Sequence, residues 1–146
     1  MTSVQIVAQF VATVCCALFA GAAVYINFVE HPARMECGTQ LAATVFPGSY
    51  RRATVMQASL AALGLLSSIV VWLAGSSIWW LIGGILLGAV IPFTLIVIMP
   101  TNKKLLDSKL DRGSELARQL LGRWGKLHAV RSVASVVALV IFLVNA

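Results

Sequence analysis

The chain has 146 residues, of which 60% are hydrophobic and 11% are charged, and its net charge is +6. Soluble domains carry about 25% charged residues, so this chain has too few polar groups to cover a globular surface in water. The composition predicts an integral membrane protein in contact with membrane lipids. It argues against nucleic acid as a partner, because no basic patch lies on a soluble domain.

Four stretches are apolar and long enough to cross a bilayer core, which takes about 20 helical residues. The predicted spans cover residues 4–29, 53–74, 78–100 and 125–144. Continuous apolar runs favour helices over barrel strands, whose side chains would alternate, and a helix satisfies its own backbone groups. The expected fold is an all-α four-helix bundle, with residues 1–146 forming a single membrane domain.

The first two spans are joined by a connection of some length. The first span is predicted to be a retained helix rather than a signal peptide, because no basic residue precedes it and its apolar run is too long. Residues 33–52 contain Pro47-Gly48, which is a turn signal, and a short surface helix is expected over residues 38–46. The second and third spans are joined by a tight turn at residues 75–77.

The third and fourth spans are predicted to extend beyond the bilayer. The apolar spacing continues past Pro100 to about Lys109, and Ser114 followed by Glu115 indicates the start of a helix that runs to Val144. Within the third span, Pro92 predicts a kink. The small-residue spacing at residues 84–88 predicts close packing, either within the chain or between copies in a homo-oligomer.

The basic side chains are concentrated in two connections. Residues 30–52 carry three of the 11 and residues 101–131 carry the other eight. The positive-inside rule therefore places the 30–52 and 101–123 connections in the cytoplasm and both termini outside. This asymmetry fits a bacterial inner membrane, with helices 3 and 4 extending on the cytoplasmic side.

Polar residues recur at helical spacing and reach the same end of the predicted bundle. Polar residues within a membrane bundle mark a functional site by default, because lipid offers them no hydrogen-bond partner. The stretch NFVEHPAR at residues 27–34 is therefore interpreted as one wall of a cup. The helix ends are expected to bring together there Glu30, His31, Arg51, Gln57, Thr94, Thr101, Asn102, Trp124, His128 and Arg131.

Some of these residues have ordinary explanations. Glu30 could be a solvated acid paired with Arg34, and Trp124 has the profile of an interfacial residue. His128 and Arg131 lie inside the fourth span. An arginine at the centre of a span costs about 2.5–3.5 kcal/mol on insertion scales, so Arg131 is expected either to snorkel to the surface or to pair with a buried acid such as Glu30.

Three segments of the sequence resemble the anthrone oxygenase-like family of small four-helix membrane proteins. They are YINFVEHPA at the end of the first span, IMPTNKKLLD at the end of the third and WGKLHAVRS entering the fourth. The resemblance covers nearly the whole chain. It implies the oxidation of an anthrone to an anthraquinone with O2, and it implies as site residues His31, Asn102, Trp124, His128 and Arg131.

That chemistry needs a base, a donor for an anionic oxygen and a dry slot. His128 is the expected base, because imidazole is the side chain that titrates near neutral pH. Arg131 and Asn102 are expected to stabilise the developing oxyanion. His31 completes the predicted catalytic set, and no cofactor is required. The expected partners are O2 and a hydrophobic aromatic molecule, anthrone- or hydroquinone-like, which Trp124, Asn27, Tyr50, Phe28 and Gln57 are predicted to bind.

Two other interpretations stay open. His31, Glu30 and His128 could bind a single iron, copper or zinc ion, although no helix carries an HxxxH or HxH pair. The bundle could also be a non-enzymatic protein that binds a small hydrophobe, a subunit of a membrane complex, or a transporter. A transporter would carry its polar residues near the bilayer centre, whereas these residues cluster at one end.

Overall fold

A computed structural model describes every residue from Met1 to Ala146 and contains four long helices and no strand. Helix α1 covers Ser3–Glu36, α2 covers Thr39–Leu73, α3 covers Ile78–Leu106 and α4 covers Glu115–Val144. All four are long and apolar enough to cross a bilayer. The predicted all-α membrane bundle is confirmed, and the chain is an integral membrane protein.

Side chains before three of the helices satisfy backbone N–H groups that have no partner within the helix. Thr2 and Gln5 form a reciprocal capping box at the start of α1, and Ser77 accepts the N–H of Trp79 at the start of α3. Ser114 Oγ accepts the N–H of Ala117 at 3.1 Å. Such caps each contribute about 1 kcal/mol. The predicted start of the fourth helix at this point is confirmed.

Two long-range hydrogen bonds define the ends of the bundle. Gln5 Nε2 donates to Ser76 Oγ at 2.6 Å, and Trp80 Nε1 donates to the Asn145 carbonyl at 3.1 Å. Both termini and the 75–77 turn therefore lie together at one end, called here the terminal end. The α1–α2 and α3–α4 connections lie at the opposite end, called the basic end.

The α1–α2 connection is much shorter than predicted. The chain turns at Gly38, whose φ of 97° favours glycine, and α2 then begins at Thr39 and continues through Pro47 without a break. The turn predicted at Pro47-Gly48 is wrong, because Phe46 and the neighbouring alanines pack into a hydrophobic cluster with α4 that holds this segment helical. At 1.5 Å per residue α2 is about 52 Å long, so α2 also extends beyond a bilayer core.

α1 and α3 each contain one π turn near the basic end, at Ile26–Glu30 and Thr94–Ile98. A proline follows each turn after one residue: Pro32 in α1 and Pro100 in α3. Neither proline has an N–H to give to the carbonyl four residues earlier. The π turns are the local adjustment to these missing hydrogen bonds, and such turns occur often at functional sites.

α3 is also interrupted at Ala89, between the α-helical segments Ile78–Gly88 and Val90–Phe93. Pro92 has no N–H to donate to the Gly88 carbonyl, so the interruption lies where a kink was predicted. Toward the terminal end, a Cβ at Gly84 would collide with Ser68, and one at Gly88 would collide with Leu65. The small residues of α3 are therefore used to pack against α2 within the chain.

The buried apolar residues form two clusters. The first fills the terminal half of the bundle and includes Phe19, Trp80 and Phe142. The second lies toward the basic end and includes Phe46 and Trp124. The candidate site lies between these two clusters.

Candidate functional site

A cavity of about 110 Å³ lies between the four helices, on the side of the basic end. Its apolar walls include Phe19 of α1, Phe46 of α2 and Val90 of α3. Polar side chains from all four helices reach it as well. They include Arg34, Tyr50, Gln57, Asn102, His128 and Arg131. The predicted convergence of polar residues at one end of the bundle is therefore present in the structure.

His128 is held by a hydrogen bond from α4 to α1. Its Nδ1 lies 2.8 Å from Oδ1 of Asn27. The amide of Asn27 has a defined orientation, because its Nδ2 donates to the Gly125 carbonyl at 3.0 Å. Oδ1 must then be the acceptor, and it also accepts the hydroxyl of Ser132. The hydrogen of the neutral imidazole therefore sits on Nδ1, which leaves a lone pair on Nε2.

Nε2 of His128 has no hydrogen-bond partner in the protein. The side chain as a whole is 1% exposed, and it lines the cavity. A fixed tautomer with a free lone pair beside a cavity is the arrangement that a general base requires.

Arg131 lies one turn further along α4 and has no acidic partner. Its Nη2 donates to Oε1 of Gln57 at 2.8 Å, and its guanidinium carbon lies 5.4 Å from the ring centre of Phe19. Nε of Arg131 and Nε2 of Gln57 are buried without a hydrogen-bond partner. This positive charge and these spare donors favour an electron-rich oxygen in the cavity.

Asn102 on α3 is completely buried, and neither Nδ2 nor Oδ1 has a hydrogen-bond partner. Leaving one buried polar group unsatisfied costs about 1–3 kcal/mol. Such a cost is expected where the partner is a ligand rather than the protein, and Asn102 lines the cavity.

Trp124 forms the aromatic centre of the site. Its ring stacks on His128 with 4.8 Å between the ring centres and meets His31 at 5.3 Å. Phe46 contacts it edge-on at 5.2 Å, and the Arg34 guanidinium lies 5.5 Å from its ring centre. The role of Trp124 is thus inside the bundle, where it separates His31 from the cavity.

Glu30 does not pair with Arg131. Its carboxylate lies 3.6 Å from Arg34 on the next turn of α1 and accepts the hydroxyl of Ser49 at 2.9 Å. The predicted Glu30–Arg131 pair is wrong, because the π turn at the end of α1 directs Glu30 toward α2, whereas Arg131 faces Gln57. The simpler explanation, a carboxylate paired with Arg34, matches the structure.

The structure brings six of the predicted site residues to the cavity and leaves three outside it. His128, Arg131, Asn102, Trp124, Tyr50 and Gln57 line it. His31 is buried behind Trp124, and Asn27 contacts the cavity only through His128. The prediction that Phe28 lines the slot is corrected, because its side chain follows Asn27 by one position, points away from α4 and is 79% exposed.

Several residues of the site were not predicted. Arg34 follows His31 by three positions and so continues the same helical face, which was the available signal. Ser132 follows His128 by four positions in the same way. Phe19 and Phe46 gave no signal, because an aromatic residue in an apolar run predicts only burial.

The charged side chains that line the cavity are all positive. Arg34 and Arg131 line it, and no carboxylate does. No three histidine, cysteine or acidic side chains come together as a group that could hold a metal ion. The lining therefore favours a neutral or anionic ligand with oxygen atoms at its polar edge.

The model of a family described as anthrone oxygenase matches residues 43–141. This segment contains Asn102, Trp124, His128 and Arg131 but not Asn27 of α1. No curated protein and no solved structure matches the chain.

Proposed function

The chain belongs to the anthrone oxygenase family, and on that premise we propose that it oxidises a hydrophobic aromatic substrate, anthrone- or hydroquinone-like, with O2. One arrangement carries the proposal. Asn27 fixes the tautomer of His128 and leaves a lone pair on its Nε2, and His128 lines a cavity together with Arg131 and Asn102.

In the proposed reaction His128 acts as the base. An anthrone carries an acidic CH2 group opposite its carbonyl, and Nε2 removes one of these protons. The electron pair moves to the carbonyl oxygen, where Arg131 and Asn102 stabilise the negative charge by charge-assisted and neutral hydrogen bonds. Trp124 and Phe46 provide the apolar surface against which the flat ring lies.

The remaining steps require O2 as the only co-reactant. The electron-rich anion transfers electrons to O2 and forms a carbon–oxygen bond, which gives a hydroperoxide. Loss of water then leaves the second carbonyl, so that one atom of O2 ends in the product and the other in water, with the two hydrogens of the former CH2 group. A hydroquinone would instead give up two protons and two electrons, and O2 would become hydrogen peroxide.

Oxygen uptake by the purified protein tests this function. With anthrone or dithranol we expect one O2 consumed per substrate and no hydrogen peroxide, and with a hydroquinone we expect one peroxide per O2. His128→Ala is expected to lower turnover at least about 100-fold, since general bases contribute about 10²–10⁴-fold. Full turnover by His128→Ala would show that the base is another group. Binding of these aromatics without oxygen uptake would instead make the protein a hydrophobe-binding protein.

We propose that no metal participates. A metal could assist the formation of the anion, but His128 removes the proton and Arg131 and Asn102 stabilise the anionic oxygen. Elemental analysis of active protein, purified without added metal, is expected to find iron, copper and zinc well below one atom per chain. Stoichiometric metal that tracks with activity would favour the alternative ligands His31, Glu30 and His128.

We further propose that the basic end faces the cytoplasm of a bacterial inner membrane, as the positive-inside rule predicts. Cys37 gives a direct test, because it is exposed at the α1–α2 connection whereas Cys15 and Cys16 are buried. A membrane-impermeant maleimide is expected to label Cys37 in inverted vesicles only. A cysteine introduced at Ser77 in a Cys37→Ser background should label with the opposite preference.

A further inference from the structure

We infer that the cavity encloses a single oxygen-bearing ring of the substrate, and that the rest of the substrate lies in a cleft between α2 and α3 that is open to lipid. This inference rests on the proposed function, because it describes how the same site holds its substrate. It concerns the shape of the ligand and its route of entrance, which the chemistry alone leaves undefined.

The size of the cavity limits what can be enclosed. Its volume is about 110 Å³, whereas an engineered protein cavity of about 150 Å³ holds a benzene molecule. A single ring therefore fills the space between the four helices. A fused three-ring molecule, or a ring with a long alkyl chain, must extend through an opening.

The opening lies between α2 and α3. Thr54 and Ala58 on α2 and Leu95 on α3 line the cavity and are also exposed on the surface of the bundle. The α2 side of this cleft has small side chains. Ala58 and Leu95 lie within the apolar stretches 53–74 and 78–100, so a lipophilic substrate is expected to reach the cleft from the lipid without crossing water.

Packing and helix geometry explain why α2 and α3 separate here. Toward the terminal end, Gly84 and Gly88 bring α3 against α2, and most contacts between the two helices are made in that half of α3. Beyond Gly88, α3 is interrupted at Ala89 and then widened by the π turn Thr94–Ile98. The two helices therefore diverge at the depth of the site.

The polarity of the lining orients the ligand. Among the residues that line the cavity, buried polar atoms without partners belong to Arg34, Gln57, Asn102 and Arg131. The mouth of the cleft is formed by Thr54, Ala58 and Leu95, and the hydroxyl of Thr54 is its only side-chain hydrogen-bonding group. An oxygen-bearing ring would enter first, and its apolar remainder would stay in the cleft and in the lipid.

Two quinones and two variants test this arrangement in the full-length protein in lipid nanodiscs. Methyl-1,4-benzoquinone carries the ring alone, and decyl-1,4-benzoquinone carries the same ring with a long apolar chain. Ala58→Trp fills the cleft. Ala17→Trp is the matched control, because Ala17 is exposed on α1 and does not line the cavity. Binding is measured by equilibrium dialysis, and partition into lipid is the same for all variants.

Ala58→Trp is expected to weaken the binding of the decyl quinone at least tenfold and to change the Kd of the methyl quinone less than twofold. Ala17→Trp is expected to leave both Kd values unchanged. The inference is wrong if Ala58→Trp leaves the binding of the decyl quinone unchanged. It is also wrong if that variant weakens both quinones equally, because the cavity rather than the cleft would then be affected.

The same experiment separates this inference from the proposed function. A quinone is the oxidised form of a hydroquinone, so the protein cannot oxidise it further, and its binding can be measured without turnover. If the unaltered protein binds the quinones but consumes no O2 with the corresponding hydroquinones or with anthrone, the proposed function is wrong and the cleft can still be tested. If it binds neither quinone, the inference about the cavity and cleft is wrong, and oxygen uptake with anthrone decides the proposed function separately.

Discussion

His128 of α4 and Asn27 of α1 are joined by a hydrogen bond of 2.8 Å between Nδ1 and Oδ1. The bond spans 101 positions of the sequence and fixes the imidazole in one tautomer, because Asn27 is itself oriented by the Gly125 carbonyl. Asn27 is therefore a positioning residue: it does not line the cavity, but it fixes the tautomer of His128, which does.

Asn27→Leu removes this orientation, and turnover is expected to fall about tenfold to 100-fold, as for other partners that orient a functional imidazole. The ¹⁵N NMR spectrum of the imidazole is expected to change from a protonated Nδ1 to a mixture of tautomers. Asn27→Asp keeps an acceptor for Nδ1 and should retain the tautomer and more of the activity. Unchanged spectra in Asn27→Leu would contradict the assigned role.

Gly125 allows His31 to pack against α4, and Gly122 on the same helix provides a control. A Cβ at Gly125 would lie 2.8 Å from Nε2 of His31, whereas a Cβ at Gly122 would have nothing within 4 Å. Gly125→Ala is expected to lower the free energy of unfolding by about 1–3 kcal/mol through overpacking. It should also lower turnover, because His31 supports Trp124.

Gly122→Ala is expected to stabilise the protein by up to about 1 kcal/mol, because alanine is the better helix former. Thermal unfolding in one detergent, with oxygen uptake measured in parallel, compares the two variants. Equal stability of both would show that His31 can move away at no cost.

The sequence predicts most of the fold, because the spans are long and uniformly apolar and because Ser114 is a strong helix start. It does not predict the turn between α1 and α2. Pro47-Gly48 has the local chemistry of a turn, but packing of Phe46 against α4 keeps the helix intact, and the chain reverses at Gly38 instead. At this point the local sequence favours a turn whereas tertiary packing favours a helix, and the packing determines the structure.

The candidate site could be predicted only in part for a similar reason. Helical spacing identifies which residues share a face, and this brings His128 and Arg131 to the cavity correctly. Which acidic side chain meets which basic side chain depends on rotations of each helix about its own axis by a few tens of degrees. The π turn at Ile26–Glu30 introduces such a rotation, and Glu30 meets Arg34 rather than Arg131.

Arg131 is half-buried, with a buried Nε, a single side-chain hydrogen bond and no acidic partner. Arg131→Met is therefore expected to weaken the binding of phenolate-like ligands at least tenfold in Kd, with little loss of stability. Loss of the bond to Gln57 costs about 1 kcal/mol, and removal of an uncompensated buried charge offsets it. Arg123→Met, on the exposed side of α4, should change neither property. A large loss of stability in Arg131→Met alone would make Arg131 a structural residue.

Glu30→Gln separates the structural role of Glu30 from a role in metal binding. The carboxylate is 34% exposed and its contact with Arg34 is 3.6 Å long, so its loss is expected to cost at most about 1 kcal/mol. Turnover and metal content should stay unchanged. A parallel loss of bound metal and of activity in Glu30→Gln, measured by elemental analysis and oxygen uptake, would contradict this expectation.

Asn102 gives the sharpest separation of stability from function, because both of its polar atoms are buried without a partner. Asn102→Leu has nearly the same shape and removes these unsatisfied groups, so we expect the free energy of unfolding of the empty protein to rise by about 1–3 kcal/mol. Turnover should fall at least tenfold, because the oxyanion loses a donor. Thr101→Val is the matched control, since Thr101 is buried beside it and does not line the cavity, and it should keep full turnover. If Asn102→Leu lowers stability and turnover together, Asn102 serves the fold rather than the ligand.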